Sequence, residues 1–263
     1  MPESSAKSSR GTRETPLIQS LDRGLQILEA VGKSAVPVSL GQLTGVLGID
    51  RSSVFRLANT LKRRGFLSSP AAGKDYVLGS SVWRLSRQYD WSGMLAAVAH
   101  GQLRNLANVT EETAHLAVRD GRNALFVDHA ASTNHVIAVS GQTGERVPLY
   151  CTSHGKALLA DFDEAELKQL LGSKPLAQHT KNTLRTVAEL AKSCAEIRAR
   201  GFASDNSEFL EGVRCIAAPI RDKAGAVVAS IGISAPSNRL PAERHPAIAN
   251  HVMRVAAQVS GML

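Results

Sequence analysis

The chain is 263 residues long, 43% hydrophobic and 4% aromatic, enough for two soluble domains built on Leu, Val, Ile and Ala, and it holds no apolar run of the about 20 residues that a membrane helix needs. Its three cysteines, Cys151, Cys194 and Cys215, are too few and too widely spaced for a disulfide framework or a structural zinc site, so neither metal nor cofactor is expected. The formal net charge of +8 is uneven: residues 1–90 hold 13 Lys and Arg against 7 Asp and Glu, which suits a polyanionic partner for the first third of the chain.

Residues 1–17, rich in Ser, Lys, Arg and Glu, read as a disordered arm. They lack the apolar stretch of a secretory leader, so the cytoplasm is the expected compartment. Ser20 is placed to cap a helix over residues 21–31, with Leu21, Leu25, Ile27, Leu28 and Val31 as its stripe. Ser39 caps a short helix over 40–47, with Leu40, Leu43, Val46 and Leu47 turned inward, and Gly48 ends it in a left-handed conformation. Asp50 caps a third helix over 51–64, which Gly65 stops. Residues 66–69 and 74–78 flank a Pro/Gly turn as a β-hairpin, completing a domain over 18–79. A linker helix follows in residues 80–92, then a larger domain over 93–263 that opens with a helix over 93–108. Strands are expected at 115–118, 124–129 and 136–139, the first two joined by an Asp120-Gly121 hairpin turn. Helices follow at 156–162, 164–171 and 187–200, strands at 202–208, 213–220 and 226–234, and a closing helix at 241–258. The fold class is α/β in the mixed α+β sense.

Two capped short helices around Gly48-Ile49-Asp50, followed by a hairpin, form the pattern of a winged helix-turn-helix. In the second of these helices Val54, Leu57, Ala58 and Leu61 recur at helical spacing and pack inward, while Ser52, Arg56, Asn59 and Arg63 fall on the outer side. Arginine pairs with guanine edges and asparagine with adenine edges. Base reading comes from the start of such a helix, which selects Arg51, Ser52, Ser53 and Arg56, with Asn59 farther along. Phe55 is placed either to touch a thymine methyl or to fill the edge of the core. Lys62, and beyond it Arg63 and Arg64, face phosphate or water. Ser39 offers the free N–H groups of a helix start to a phosphate, and Lys74 sits in the wing. The plainer alternative, an ordinary helical hairpin with a solvated face, leaves the coincidence of caps, hairpin and local charge unexplained.

These residues resemble the IclR family of bacterial regulators. The N-terminal match runs from Ser20-Leu21-Asp22-Arg23-Gly24-Leu25, through Leu47-Gly48-Ile49-Asp50-Arg51-Ser52, to Gly65-Phe66-Leu67. The C-terminal match is Pro148-Leu149-Tyr150-Cys151-Thr152-Ser153-His154-Gly155-Lys156-Ala157, with Arg200-Gly201-Phe202-Ala203-Ser204-Asp205 and Gly212-Val213-Arg214-Cys215-Ile216-Ala217-Ala218-Pro219. The resemblance covers roughly residues 18–262. It implies a winged helix-turn-helix, a linker helix and a GAF-like sensor domain with a curved antiparallel sheet. It also implies a double-stranded DNA operator, a homodimer or dimer of dimers, and a small-molecule effector, often an organic or aromatic acid of a catabolic pathway. Val82, Leu85, Leu95, Ala96, Val98, Leu103 and Leu106, on helices between the domains, are the expected dimer contacts.

The loop Thr152-Ser153-His154 leads into a helix at Gly155, whose free N–H groups favour a carboxylate. The resemblance carries pocket roles onto Ser153, His154, Asp205, Val213 and Cys215, with Val147 and Leu149 on the apolar side. Ser207 stands where many members carry an acidic residue, and His154 where many carry something smaller. Each has a plainer alternative: Cys215 as core, His154 as a helix cap, Asp205 as a partner of backbone amides. No catalytic residue is expected. Gly155-Lys156-Ala157 lacks phosphate-loop spacing, no G-x-S-x-G elbow or G-x-G-x-x-G turn occurs, and Cys151 near His154 is weak evidence for a thiol–imidazole pair.

Overall fold

The computed structural model describes residues 17–70, 73–86, 90–131, 139 and 141–263. The chain divides into two compact units, residues 1–89 and 90–263.

In the first unit, helix α1 (Gln19–Gly32) buries Gly24, Ile27 and Val31. Its start departs from expectation: Ile18 holds the capping position, with no side-chain cap, and Ser20 lies inside the helix. Leu21 and Leu25 are 60% and 51% exposed, because they lie roughly 80° and 120° around the helix from the centre of its buried stripe. Helix α2 (Leu40–Leu47) has a complete capping box between Ser39 and Gln42, and Gly48 ends it at φ 62°. Val46 points to solvent rather than inward, since the core covers only the Leu43 side of this eight-residue helix. Helix α3 (Arg51–Arg63) starts at Asp50, whose carboxylate accepts the Ser53 amide at 2.9 Å. Val54 and Ala58 are buried in α3, with Leu57 and Leu61 packed against the same core. The wing is the antiparallel pair β1 (Leu67–Ser68) and β2 (Val77–Leu78), tied to the body by a bridge between Val38 and Tyr76. Helix α4 (Ser80–Ser86) closes this unit, with Trp83 and Leu85 exposed. A side chain at Gly79 would meet the Gly65 carbonyl at 2.2 Å, so only glycine lets the chain turn here from β2 into α4.

The second unit is built on one antiparallel sheet of order β5-β4-β3-β8-β7-β6. Its strands are β3 (Thr113–Asp120), β4 (Asn123–Ala130), β5 (Arg146–Pro148), β6 (Ala203–Asn206), β7 (Val213–Arg221) and β8 (Val227–Pro236). Gly121, at φ 58°, turns β3 into β4 as the Asp-Gly signal requires. Register shifts at Leu116/Ala117 and Ile220/Arg221 curl the sheet. Strand β5 has three residues, too few for a periodic signal, and sequence reasoning missed it. Of the strand expected over 136–139, only Val139 lies among the described residues, and it is not in a strand.

Alternation along the strands divides two cores. Leu116, Val118, Ile216, Ile231 and Ile233 face α5 (Asp90–Thr110) and α9 (His245–Ser260). Ala117, Ala124, Phe126 and Val147 face α6 (Ser153–Leu158), α7 (Glu164–Leu171) and α8 (Val187–Arg200). Leu95, Leu103 and Leu106 are at most 1% exposed within the first core, so they pack inside their own unit and are not free for a dimer contact. Met94 and Val98 remain exposed on α5. The closing helix begins later than expected, because Pro241 leads into one 3-10 turn, Ala242–Arg244, before α9. Among the described residues no helix is long and apolar enough to cross a membrane.

Candidate DNA-reading surface and effector pocket

The residues singled out in the first unit fall on two sides of α3. Ser39, Arg51, Phe55, Asn59, Lys62 and Lys74 line one groove of about 1200 Å³, counting its open part, between the start of α2, the face of α3 and the wing. Arg51, Phe55, Asn59 and Lys62 recur every three or four residues and so form a single stripe. Lys62 donates to Ser69 Oγ at 2.8 Å, which ties this end of α3 to the wing. Ser53 and Arg56 line a separate hollow with Ser20 and Arg23 of α1. The outer face is therefore two adjoining stripes, and Asn59 sides with Phe55 rather than with Arg56. Ser52 donates to Asp50 Oδ1 at 2.8 Å, so its hydroxyl hydrogen serves the cap. The backbone and side-chain hydrogen bonds from Ser53, then Ser52, hold Asp50 down at about pKa 2, so the cap stays charged through the neutral range.

In the second unit a cavity of about 490 Å³, counting its open part, lies against the α6 side of the sheet. Val147, Thr152, Ser153, His154, Asp205, Val213 and Cys215 line it, as the sequence reading groups them. Leu149, Gly155 and Ser207 do not. Leu149 is fully buried in the second core, and a side chain at Gly155 would strike the Leu149 backbone at 2.3 Å. Ser207 turns at φ 56° and donates to the Val213 carbonyl at 3.0 Å. Helix α6 begins three residues before the expected start because Thr152 Oγ1 caps it, accepting the Gly155 amide at 3.1 Å. That amide is occupied, which removes it from the group of free N–H donors proposed for an anion.

What the cavity does present is a set of buried side-chain atoms without partners. His154 Nε2 and Ser153 Oγ have no hydrogen bond, and the His115 ring lies against the Gly141 backbone. Unpaired buried polar groups are costly, and a ligand that pairs them recovers that cost. The His154 ring is anchored on its other side, with Nδ1 3.0 Å from Ser230 Oγ on β8. It meets His115 edge-on, with ring centroids 6.0 Å apart, and His115 stacks on Phe126 at 4.6 Å. Burial, with a smaller push from His115, holds His154 down at about pKa 3. Burial, with a smaller push from His129, holds His115 at about 4. Both rings are neutral at pH 7, so each carries one N–H and one acceptor nitrogen.

Asp205, on β6, is 4% exposed and stands in register with Cys215 on β7. Its Oδ1 accepts the Glu208 amide at 2.6 Å. Burial pushes its carboxyl up to about pKa 7 despite that bond. Next door, Lys156 Nζ meets Glu208 Oε1 at 2.5 Å with both side chains buried. Thr183 and Thr180 donate to the Glu208 carbonyl at 2.6 and 3.3 Å, fixing the segment after Asp205. Burial raises the Cys215 and Cys151 thiols, Cys151 to about pKa 12, which leaves neither as a thiolate at neutral pH.

Models of known families match both units: the IclR helix-turn-helix domain over residues 20–70, and the bacterial transcriptional regulator IclR C-terminal domain over residues 91–261. The chain belongs to the IclR family. Its members are transcriptional regulators with a DNA-binding helix-turn-helix and an effector-binding domain. The chain is 32% identical to the transcriptional repressor IclR of Escherichia coli strain K12 over 248 residues, 94% of this chain and 90% of that one. The fold matches the IclR of Thermotoga maritima with a TM-score of 0.72 at 27% identity, covering 94% of this chain and 99% of that one. It also matches an IclR homologue from Microbacterium hydrocarbonoxydans complexed with 4-hydroxybenzoate, with a TM-score of 0.76 at 21% identity, covering 92% and 98%.

Within this IclR-family domain, sequence reasoning missed several residues that line the cavity, chiefly His115, Phe126, Gly141 and Ser234. The signal available for His115 was a lone imidazole inside the apolar strand Thr113–Asp120. The register then places Thr113, Ser234, Cys215 and Asp205 in one row across four strands.

Proposed function

We propose that this chain is a homodimeric regulator whose hold on an operator is set by a small organic acid bound in the cavity beside α6. The observation that carries the reading is the pair of unpartnered buried groups, His154 Nε2 and Ser153 Oγ, beside the buried His115 ring, around a cavity with apolar walls at Val147, Val213 and Phe126. Two neutral imidazoles and a hydroxyl supply the donors that carboxylate or hydroxyl oxygens accept, and the walls take a short carbon chain or ring.

On the DNA side, Arg51, Phe55 and Asn59 face bases along the α3 groove, while Ser39, Lys62 and Lys74 engage phosphates. Arg56, with Ser52 and Ser53, reads from the adjoining stripe. One such unit reads too few base pairs for genomic specificity, which favours a symmetric pair on two half-sites. Met94 and Val98, exposed on α5, offer apolar surface for that pairing. Acid releases DNA only if it binds the DNA-free conformation more tightly, and the shift cannot exceed that difference in affinity. The test is calorimetry with monocarboxylic acids from acetate to 4-hydroxybenzoate, followed by operator binding at saturating acid. Absence of binding by every acid defeats the reading.

A further inference from the structure

An acid entering this cavity meets no cation among the described lining residues, which include no Lys or Arg; the charged groups are Asp205 and Glu145. The nearest buried ammonium, Lys156, is held by Glu208 at 2.5 Å. His115 and His154 are buried and neutral, and His129, behind His115 on β4, bonds Thr143 through Nδ1 at 3.1 Å. Glu145 is exposed at the rim, and its Oε2 accepts the Gln142 amide. The Cys151 and Cys215 thiols are uncharged. A ligand carboxylate would thus be buried near the carboxylate of Asp205 with no Lys or Arg among the described lining residues to offset the two charges. Two carboxylates sharing one buried site do not both ionise.

We infer that the pocket binds its acid together with one proton, held between the ligand carboxylate and Asp205. This rests on the organic-acid reading above and specifies how that site works. The balance is simple: ligand carboxylate, Asp205 carboxylate and one proton from solvent give a complex with a single negative charge, in which the Asp205 O–H donates to the ligand. The neutral imidazoles of His115 and His154 donate their N–H groups to the remaining ligand oxygen. Asp205 is the natural holder of the proton because its carboxyl already sits at about pKa 7 in the free protein, whereas the imidazoles would have to climb from about 4 and 3. The arriving negative charge pushes Asp205 further in the same direction.

The sign follows from linkage. The ligand acids titrate near pH 4 and arrive ionised, so the proton must come from the medium wherever Asp205 is ionised in the free protein. Above about pH 7, affinity falls about tenfold per pH unit; below it, Asp205 is already protonated and affinity levels off.

The experiment is calorimetry of the full-length protein with acetate, benzoate and 4-hydroxybenzoate in phosphate and in Tris. The dependence of the apparent enthalpy on the buffer's ionisation enthalpy gives the protons taken up. Uptake approaching one proton at about pH 8, falling toward zero at about pH 6, is expected. Asp205→Asn keeps the shape and cannot titrate, so it should bind the acid with no uptake and with affinity independent of pH. His115→Gln keeps an N–H donor and should retain the uptake. Acid binding with no uptake at about pH 8 overturns the inference and leaves the organic-acid reading intact. Uptake that survives in Asp205→Asn and vanishes in His115→Gln overturns the assignment to Asp205. Failure of all three acids to bind overturns both readings. The buffer comparison on the unaltered chain decides the matter even if the Asn variant does not fold.

Discussion

His154 Nδ1 lies 3.0 Å from Ser230 Oγ, which anchors one side of a fully buried ring and leaves Nε2 free toward the cavity. Ser230 is itself 0% exposed, and it stands opposite Ala117 on β3 and Pro219 on β7. The hydroxyl therefore holds the orientation of the imidazole. Ser230→Ala should cost about 1 kcal/mol of stability, the net worth of such a bond, and weaken acid binding several-fold because the ring is no longer held. Chemical denaturation and calorimetry on the same preparation check it. Unchanged acid affinity would mean that His154 does not meet the ligand.

The pair Lys156–Glu208 behaves differently, because it is charged and almost completely enclosed. Side-chain exposures are 4% and 11%, and Glu208 Oε2 has no partner at all. Removing one partner leaves the other as an uncompensated buried charge. Lys156→Met should destabilise the domain by about 3–5 kcal/mol. Adding Glu208→Gln to that variant should restore much of the loss, since neither member of the pair is then charged. Denaturant midpoints of the single and double variants distinguish this from a simple packing defect, in which the second change would only add to the loss.

On the DNA side the proposed base-reading and phosphate contacts of α3 can be told apart. Arg56→Ala should weaken specific operator binding by about 1–3 kcal/mol if the guanidinium reads a base edge. Lys62→Ala should instead weaken binding evenly across sequences and lower the salt slope by about one. Gel shifts at several salt concentrations with operator and unrelated DNA check both. Equal losses on both DNAs for Arg56→Ala would move it to the phosphate class.

The first unit was largely legible because its signals are local. Ser39, Gly48 and Asp50 cap and stop helices by contacts within a few residues, and the spacing of Val54, Leu57, Ala58 and Leu61 needs no distant partner. Where local chemistry was ambiguous, reading failed. The apolar pair Leu17-Ile18 precedes α1 without a polar cap, and Gly155, read as the start of a helix, is the third residue of α6, where a side chain would strike the Leu149 backbone. Half of the cavity was legible through the motifs around Ser153, Asp205 and Cys215. His115, Phe126 and Ser234 were not, because strands covered on both faces read as near-continuous apolar runs. Which of their residues face α6 depends on a six-strand register that no single segment encodes.

The cavity assignment can be tested by filling it. Cys215 is 9% exposed, lines the cavity, and its Sγ lies 3.2 Å from Ser234 Oγ. Its neighbours in the row are Asp205 on one side and Ser234 on the other, so a larger side chain there has only the cavity to enter. Cys215→Trp should abolish acid binding and the acid's effect on DNA while leaving operator affinity near that of the parent, at a cost of about 1–3 kcal/mol from overpacking. Val213→Phe, at a half-buried position on the same lining, should reduce acid affinity with less strain. Calorimetry with the acid that binds the parent and gel shifts with the operator provide both readouts. If both variants bind that acid as tightly as the parent does, the ligand sits elsewhere and His115, His154 and Asp205 are not its partners.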